Sequence, residues 1–374
     1  MAWASIMGNI GFAIERAVTV VIIACPHALG LAVPLVTAVS TSIAAQKGLL
    51  IRNRVNFENA RKIDTVVFDK TGTLTKGEFG VTDVHEITVS KEQLLETAYA
   101  LESQSEHPIS LGIVREAERL NLKSSKVKNF MNITGQGLQG EIDGRLTKVV
   151  SPGYLRRENI SFEETAYEKL AKQGKTVVFV IENNKLLGFI ALGDAVRETA
   201  KEAISTLKEM KIDSYMITGD NSRAAAYIAE QLNIDKVYAE VLPKEKAIKI
   251  DELHHDKKFV AMTGDGVNDA PALAKSDLGI AIGAGTDVAI ETADIILVKS
   301  DPLDVVNILK LSRATYRKMV QNLIWATAYN IVALPLAAGI FYYQGIVISP
   351  AMGAVFMSLS TVIVSINARL LRID

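Results

Sequence analysis

Residues 17–46, AVTVVIIACPHALGLAVPLVTAVSTSIAAQ, carry no acidic or basic side chain apart from one histidine. The run is longer than the ~20 apolar residues a helix needs to cross a bilayer, so the segment must either meet lipid or be wholly buried. Two further runs, 323–342 and 346–368, flank the short link YQGI. Lys47, Arg52, Arg54 and Arg61 follow the first run. Arg313, Arg317 and Lys318 precede the second, Arg369 and Arg372 follow the third, and 343–349 carry no charge. The positive-inside rule therefore predicts a cytoplasmic middle region and C-terminus, and these lengths and flanks favour membrane spans over buried helices of a soluble protein. Charged residues still make up 22% of the chain, which predicts apolar segments joined to an ordinary soluble body. A net charge of −1 gives no reason to invoke nucleic acid. One cysteine, Cys25, cannot form an internal disulfide and is a core residue, a reactive thiol or a metal ligand. The start, MAWASIMGNIGFAIERA, lacks a basic segment followed by a short apolar stretch and a small-residue cleavage site, so no signal peptide is expected.

The middle region, about 55–315, alternates short β-branched runs with amphipathic helical stretches such as VRETAKEAISTLKEM. TVVFD (65–69), SYMITGD (214–220) and KFVAMTGDG (258–266) each end in Asp or Gly. This alternation predicts an α/β, doubly wound parallel sheet with its ligand site beyond the carboxyl ends of the strands. Between 79 and 193 the pattern changes. GEIDGRLTKVV and KTVVFVIENNKLLGFIAL read as hairpin strands and 91–120 and 162–173 as helical, which predicts an inserted α+β domain.

The chemistry falls at the strand ends. In VVFDKTGTLT, Asp69 closes an apolar strand and enters a turn of Lys70, Thr71 and Gly72, placing its carboxylate at the sheet's edge. A carboxylate there can attack phosphorus and form an acyl phosphate. MITGD supplies Thr218, Gly219 and Asp220, LPKEK supplies Lys246, and TGDGVND supplies Asp265 and Asp269 one helical turn apart. A hydroxyl and backbone N–H groups can hold phosphate oxygens, an ammonium can offset their charge, and two carboxylates can hold Mg2+. Each motif alone also fits a strand-end turn or a helix cap; their joint occurrence in this order does not.

VVFDKTGTLT, MITGD and MTGDGVNDAPAL resemble the phosphorylation-domain signatures of P-type ATPases, members of the haloacid dehalogenase (HAD) superfamily, and the resemblance covers essentially the whole chain. It implies a HAD-like, Rossmannoid phosphorylation domain with an inserted nucleotide-binding domain, joined to transmembrane helices. By similarity Asp69 is the aspartate phosphorylated by ATP, with Lys70 beside it. Asp265 is a Mg2+ ligand together with Asp69 and the carbonyl of Thr71, Asp269 is its support, and Thr218, in its TGD turn with Gly219 and Asp220, and Lys246 contact phosphate. Many phosphatases of the superfamily carry a second Asp two positions after the nucleophile as general acid–base. Thr71 stands there instead, which predicts a phosphoenzyme that persists. LESQSEHPIS and ITGQGLQG resemble the ATP site of the heavy-metal branch, the P1B-type ATPases, in which Glu102, His107, Gly135 and Gly137 match adenine and phosphate contacts. Histidine can stack on adenine, and glycine lets backbone approach a ligand. The implied division is a transmembrane region with the CPH helix (1–54), the phosphorylation domain in two parts (55–78 and 194–315), the nucleotide-binding domain (79–193) and two C-terminal transmembrane helices (316–374).

Pro26 removes a helix hydrogen bond in the middle of the first span, between Cys25 and His27. Thiolate and imidazole ligate soft or borderline metals, and polar groups at membrane depth are functional candidates; a buried thiol and a packing histidine are the alternative. CPH resembles the intramembrane motif of the CopB-like, copper subgroup. Tyr329 and Asn330 on one later span, and Met357 and Ser358, with Ser360 and Thr361, on the other, lie where that family places metal-binding groups, and are also ordinary helix-packing types. The near match to the family's actuator loop, TKGE at 75–78, directly follows the phosphorylation motif and is wrongly placed. With the start just before the CPH helix, this predicts the C-terminal part of a pump whose actuator domain and earlier spans lie in a missing N-terminal part. The resemblance thus implies an ATP-driven exporter of Cu+ or Cu2+, using ATP and Mg2+, embedded in lipid of the cell membrane with cytoplasmic catalytic domains. Transport of Ag, Zn or Cd, a membrane-anchored phosphatase, and a fragment that only binds nucleotide or metal are the alternatives.

Overall fold

The computed structural model describes residues 9–265, 267–283 and 287–373. Residues 64–293 and 300–303 form one compact unit; the segment ending at 63, residues 294–299 and the segment from 304 form a second.

In the first unit, Thr65–Asp69 is buried at all five positions, as a strand covered on both faces must be. It lies parallel to Asp213–Ile217 on one side and Val260–Gly264 on the other. Lys236–Tyr238 extends the sheet beyond the former and Leu278–Ile282 beyond the latter, both parallel. The chain therefore builds outward from Thr65–Asp69 in one direction, then returns and builds in the other. Strand order reverses at Asp69, and such a switch point leaves a crevice at the carboxyl ends of the strands.

The chain leaves this sheet through the loop Lys70–Leu74, runs into Thr75–Glu86, and comes back along Lys185–Val196, its antiparallel partner. These two strands begin a six-stranded antiparallel sheet that continues through Thr176–Glu182, Arg145–Val150, Gly137–Ile142 and Val127–Ile133. Its tight turns follow from residue type. Asp143 and Gly144, and Asn183 and Asn184, all take positive φ, the geometry that two-residue hairpin turns demand. Helices Lys91–Glu102 and Pro108–Arg119 are associated with a core of Leu94, Leu95, Leu101, Ile113, Val180 and Ile190; a second core gathers Phe179, Phe189, Tyr154 and Leu155 with Phe162 and Tyr167.

The second unit holds helices Ile10–Ile23, His27–Gln46, Leu303–Ala337 and Pro350–Arg369, with a short antiparallel pair, Leu49–Ile51 and Ile295–Leu297. Ile10–Gln46 and Pro350–Arg369 are long and apolar enough to cross a membrane, and most of each window faces outward. Where the helices meet, the contacts are small: Ala28 and Ala32 cluster with Ala326 and Val364, the residue sizes that let membrane helices approach closely. The helix expected at 323–342 differs in extent. It starts twenty residues earlier, at Leu303, and stops at Ala337, because Gly339 takes φ +81° and ends the helix as a left-handed glycine does. Ile340, Phe341 and Tyr342 are apolar enough to extend a hydropathy window, yet the first two lie in a turn and Tyr342 opens a short 3-10 helix, Tyr342–Gln344.

Candidate active site

At the switch point the Lys246 ammonium donates to Asp69 Oδ1 and to Asp269 Oδ1, both at 2.6 Å. Carboxylate oxygens of Asp69, Asp265 and Asp269 all lie within 4.8 Å of one another, the only group of three or more His, Cys, Asp or Glu so arranged among the described residues. Asp69 ends its strand, Asp265 follows Val260–Gly264, and Asp269 closes a 3-10 turn before the helix Ala270–Lys275. The two later aspartates thus reach the site from a strand end and a helix start rather than from one helix. Lys246 comes from the first turn of Pro243–His255.

Burial, and then the neighbouring Asp269, push Asp69 up to about 7 against the pull of Lys246. Lys246 is itself raised: burial opposes its charge, but Asp69 and Asp269 outweigh burial. Burial and Asp269 also raise Asp265. With all three carboxylates ionised and one ammonium among them, the site is left two charges negative. Hard oxygen donors and that charge fit Mg2+.

The loop after Asp69 is held by groups whose roles the sequence did not disclose. Lys70 pairs with Asp220 at 2.7 Å and with Asp194 at 3.8 Å. Asp194 also accepts from the Thr75 hydroxyl and, at 2.9 Å, from the Gly77 N–H. Arg197 donates to the carbonyls of Thr73 (3.0 Å) and Gly72 (2.8 Å). Asp194 follows a buried run, FIALG, as Asp69 follows VVF, and that shared signal could have found it. Thr71 is exposed on the loop. Thr218 is buried and pinned by main-chain bonds to Tyr238 and Val241, and its hydroxyl accepts from the Asp220 N–H at 3.1 Å across Gly219.

Glu102, His107, Gly135 and Gly137 line one cavity of about 570 Å³ beside the antiparallel sheet. His107 caps the helix Pro108–Arg119, its Nδ1 accepting from the Ile109 N–H at 3.3 Å. Gly135 has open space around it, but a Cβ at Gly137 would overlap the main chain of Val149 and Val150 on the next strand, so strand packing already demands that glycine. Glu102 is 3% exposed; burial pushes it up to about 7, the Ser110 hydroxyl pulling the other way. An unfolded glutamate titrates near ~4.3, so the folded chain holds an extra proton between the two values, and stability falls as pH rises through that window. Glu102→Gln is expected to remove this loss. At pH 8 the amides of Lys91–Glu102 open less readily than in the parent, by roughly 3 kcal/mol, and at pH 4 the two proteins match; hydrogen exchange at both values checks it.

In the helical unit, Cys25, Pro26 and His27 lie exposed at the break between Ile10–Ile23 and His27–Gln46. The Tyr329 hydroxyl and Asn330 Oδ1 are buried with no hydrogen-bond partner among the described residues. Met357 is half-buried, whereas Ser358 is exposed and donates to the Ala354 carbonyl of its own helix at 3.0 Å. Two polar residues passed unnoticed in the sequence. Asn322, fully buried, donates to the Ala32 carbonyl (3.0 Å) and accepts from Asn367 (2.8 Å), which accepts from Lys318 (3.0 Å). Arg16, 2% exposed, donates to the Ile348 carbonyl at 2.6 Å and pairs with Glu15.

A family model for haloacid dehalogenase-like hydrolases matches residues 63–277. The catalytic domain of the CPx-ATPase CopB-B, solved as a structure, is 30% identical over 73% of this chain and 98% of its own, with a TM-score of 0.52. The chain belongs to the haloacid dehalogenase-like hydrolases, in their P1B-type ATPase branch. Among other members, the copper-exporting P-type ATPase B of Archaeoglobus fulgidus is 57% identical over 99% of this chain and 53% of its own length. The probable copper-transporting P-type ATPase B of Staphylococcus aureus is 46% identical over 100% and 56%. A zinc-transporting PIB-type ATPase in its E2.Pi state is 33% identical, covering 100% of this chain and 60% of the other, with a TM-score of 0.80. The chain spans about half the length of the curated relatives it matches. Within the P1B-type family, members are membrane proteins, and the two long apolar helices fit that setting.

Proposed function

We propose that the chain is the catalytic part and some of the membrane path of an ATP-driven copper exporter in the cell membrane, with its catalytic domains in the cytoplasm. One observation carries this reading: Asp69 and Asp269, tied by a single ammonium beside Asp265, at the strand end where order reverses. An Asp69 oxygen attacks the γ-phosphorus of ATP, an acyl-phosphate bond forms, the bond to the bridging oxygen breaks, and ADP leaves with that electron pair. Lys246 holds the attacking carboxylate in place, and the main chain and hydroxyl of Thr218 border the incoming phosphoryl oxygens. Asp69, Asp265 and the Thr71 carbonyl would hold Mg2+, supported by Asp269; the ion supplies charge that offsets the phosphate oxygens. Thr71 offers no carboxylate to activate water, so the acyl phosphate outlives the transfer. ATP is held at Glu102, His107, Gly135 and Gly137. Copper, as the transported substrate, passes Cys25 and His27, with Tyr329, Asn330, Met357 and Ser358 as further donors; the names of the relatives and the orphaned Tyr329 and Asn330 oxygens support this. We place the actuator domain and earlier spans in the relatives' additional length.

Radiolabelled ATP tests the engine. Acid-stable, hydroxylamine-sensitive label is expected on the parent chain and none on Asp69→Asn, where an amide of the same size cannot attack. Label that persists in Asp69→Asn sinks the assignment, and release of phosphate without trapped label favours a phosphatase. Comparing Cu(I), Cu(II), Ag(I) and Zn(II) as activators of ATP hydrolysis by the complete pump settles the cargo.

A further inference from the structure

Cations gather at one end of the helical unit. The segments 47–62, 310–318 and 369–372 carry eleven Lys and Arg between them against one acid, Glu58, with Asp374 just beyond, in a chain whose net charge is −1. Contacts, not chain order, bring the three segments together. The Arg61 guanidinium lies 3.8 Å from the centre of the Tyr316 ring, Lys318 donates to Asn367 Oδ1 at 3.0 Å, and Arg54 donates to the Ser40 hydroxyl at 2.9 Å near the end of His27–Gln46. Glu58 and Asp294, which touch these segments, are already engaged, Glu58 with Arg54 at 2.9 Å and Asp294 with the Asn56 amide at 2.9 Å. Among the described residues Lys47, Arg313, Arg317, Arg369 and Arg372 make no hydrogen bond or ion pair. At the other end of these helices the link 343–349 is uncharged and Arg16 is paired with Glu15.

Depth decides what these cations meet. Lys47 directly follows the apolar run 17–46, Arg369 directly follows 346–368, and Lys318 precedes residue 323 by five positions, roughly 8 Å along a helix. The polar layer on each side of the hydrocarbon core is about 5–8 Å thick, so the cations stand at headgroup level. Tyr316, 44% exposed beneath Arg61, is of the residue type that settles there. Setting the topology needs only enough positive charge in the short loops; it does not need three distant segments to converge. Like charges so gathered repel one another unless an anion lies among them. A phosphodiester headgroup supplies that anion at that depth, and each Lys or Arg near the surface adds to the attraction. We propose that this cluster is a binding surface for anionic phospholipid headgroups, centred on Arg313 and Arg317 of the long helix and on Arg369 and Arg372 at the end of its neighbour. The inference depends on the helices crossing lipid and is independent of the nucleotide and of the cargo.

The test uses the full chain carrying Trp3→Phe, which leaves Trp325, 55% exposed and some two turns beyond Arg317, as the only tryptophan. In vesicles of phosphatidylcholine mixed with brominated phosphatidylglycerol, quenching of Trp325 gives the relative affinity of the two lipids. The parent is expected to favour phosphatidylglycerol at least about fivefold, the scale of one cation facing an anionic surface. Arg313→Gln with Arg317→Gln lowers the ratio, as does Arg369→Gln with Arg372→Gln; the four together bring it near one, and the matching Lys variants keep it. Unchanged quenching by brominated phosphatidylcholine shows that the variants remain folded and inserted. Glycerol 3-phosphate added in excess, a headgroup charge without acyl chains, is expected to leave the ratio unchanged; if it abolishes the preference, the cluster reads free phosphate and the lipid assignment falls. A parent ratio near one, the result expected if an acidic protein segment covers these cations instead, overturns the proposal, and so does a preference untouched by all four substitutions.

Discussion

Lys246→Met is expected to abolish phosphoenzyme formation and to leave a chain that is least stable at alkaline pH. Lys246 is 6% exposed, and its ammonium bonds two of three carboxylates that converge within 4.8 Å. Methionine fills the volume but leaves those charges without a counterion. Removing one partner of a buried ion pair costs about 3–5 kcal/mol, and three carboxylates cannot all stay ionised at that spacing. Asp69, already pushed up to about 7 in the parent, is driven further. The folded variant therefore holds more protons than the unfolded chain over a wider range, and its stability falls more steeply as pH rises. Urea unfolding followed at pH 5.5 and pH 8.5 should give a much larger gap between the two values for the variant than for the parent, and added Mg2+ should close part of it. Equal slopes would mean that Lys246 plays no part in balancing the triad.

Gly72→Ala is expected to be as damaging to phosphorylation and nearly silent in the rest of the fold. Gly72 takes φ +74°, and a Cβ there would overlap the Asp265 carboxylate. Two penalties fall on one position: the left-handed backbone, about 1 kcal/mol for a residue with a Cβ, and a collision that only movement of Asp265 or the loop can relieve. Either movement breaks the register of Asp69 with Asp265, and an ångström of misplacement can cost roughly a hundredfold in rate. Labelling by ATP should fall by at least that factor while the circular dichroism spectrum and affinity at the proposed nucleotide cavity beside the antiparallel sheet stay put. Full labelling would show that the loop adapts without moving Asp265.

Much of this was legible because local rules carried it. TVVFD is apolar from Val66 to Phe68, and the strand ends at the carboxylate of Asp69. DG at 143–144 and NN at 183–184 sit between β-rich runs, and both become tight turns. What stayed hidden depends on contacts between distant residues. Lys246 was readable as a cation near phosphate, but not as the bridge between carboxylates 177 and 23 residues away. Arg197 meets Gly72 and Thr73 across more than 120 positions, and nothing in either segment names the other. Asn322 and Arg16 were invisible for another reason. Each lay one position before an apolar run, outside it, and only tertiary packing reveals that both are buried with main-chain carbonyls as partners. The end of the long helix at Ala337 was missed because hydropathy cannot distinguish a helix from an apolar turn.

The strand order has a consequence for how the chain is made. Thr65–Asp69 finds its hydrogen-bonding neighbours at Asp213–Ile217 and Val260–Gly264, so on the ribosome this strand, buried at all five positions, must wait while some 150–200 further residues emerge. At ~5–20 residues per second that delay is on the order of ten seconds. The antiparallel sheet, whose strands all lie between Thr75 and Val196, can condense during that interval, leaving a half-made platform exposed to chaperones before Asp69 is framed.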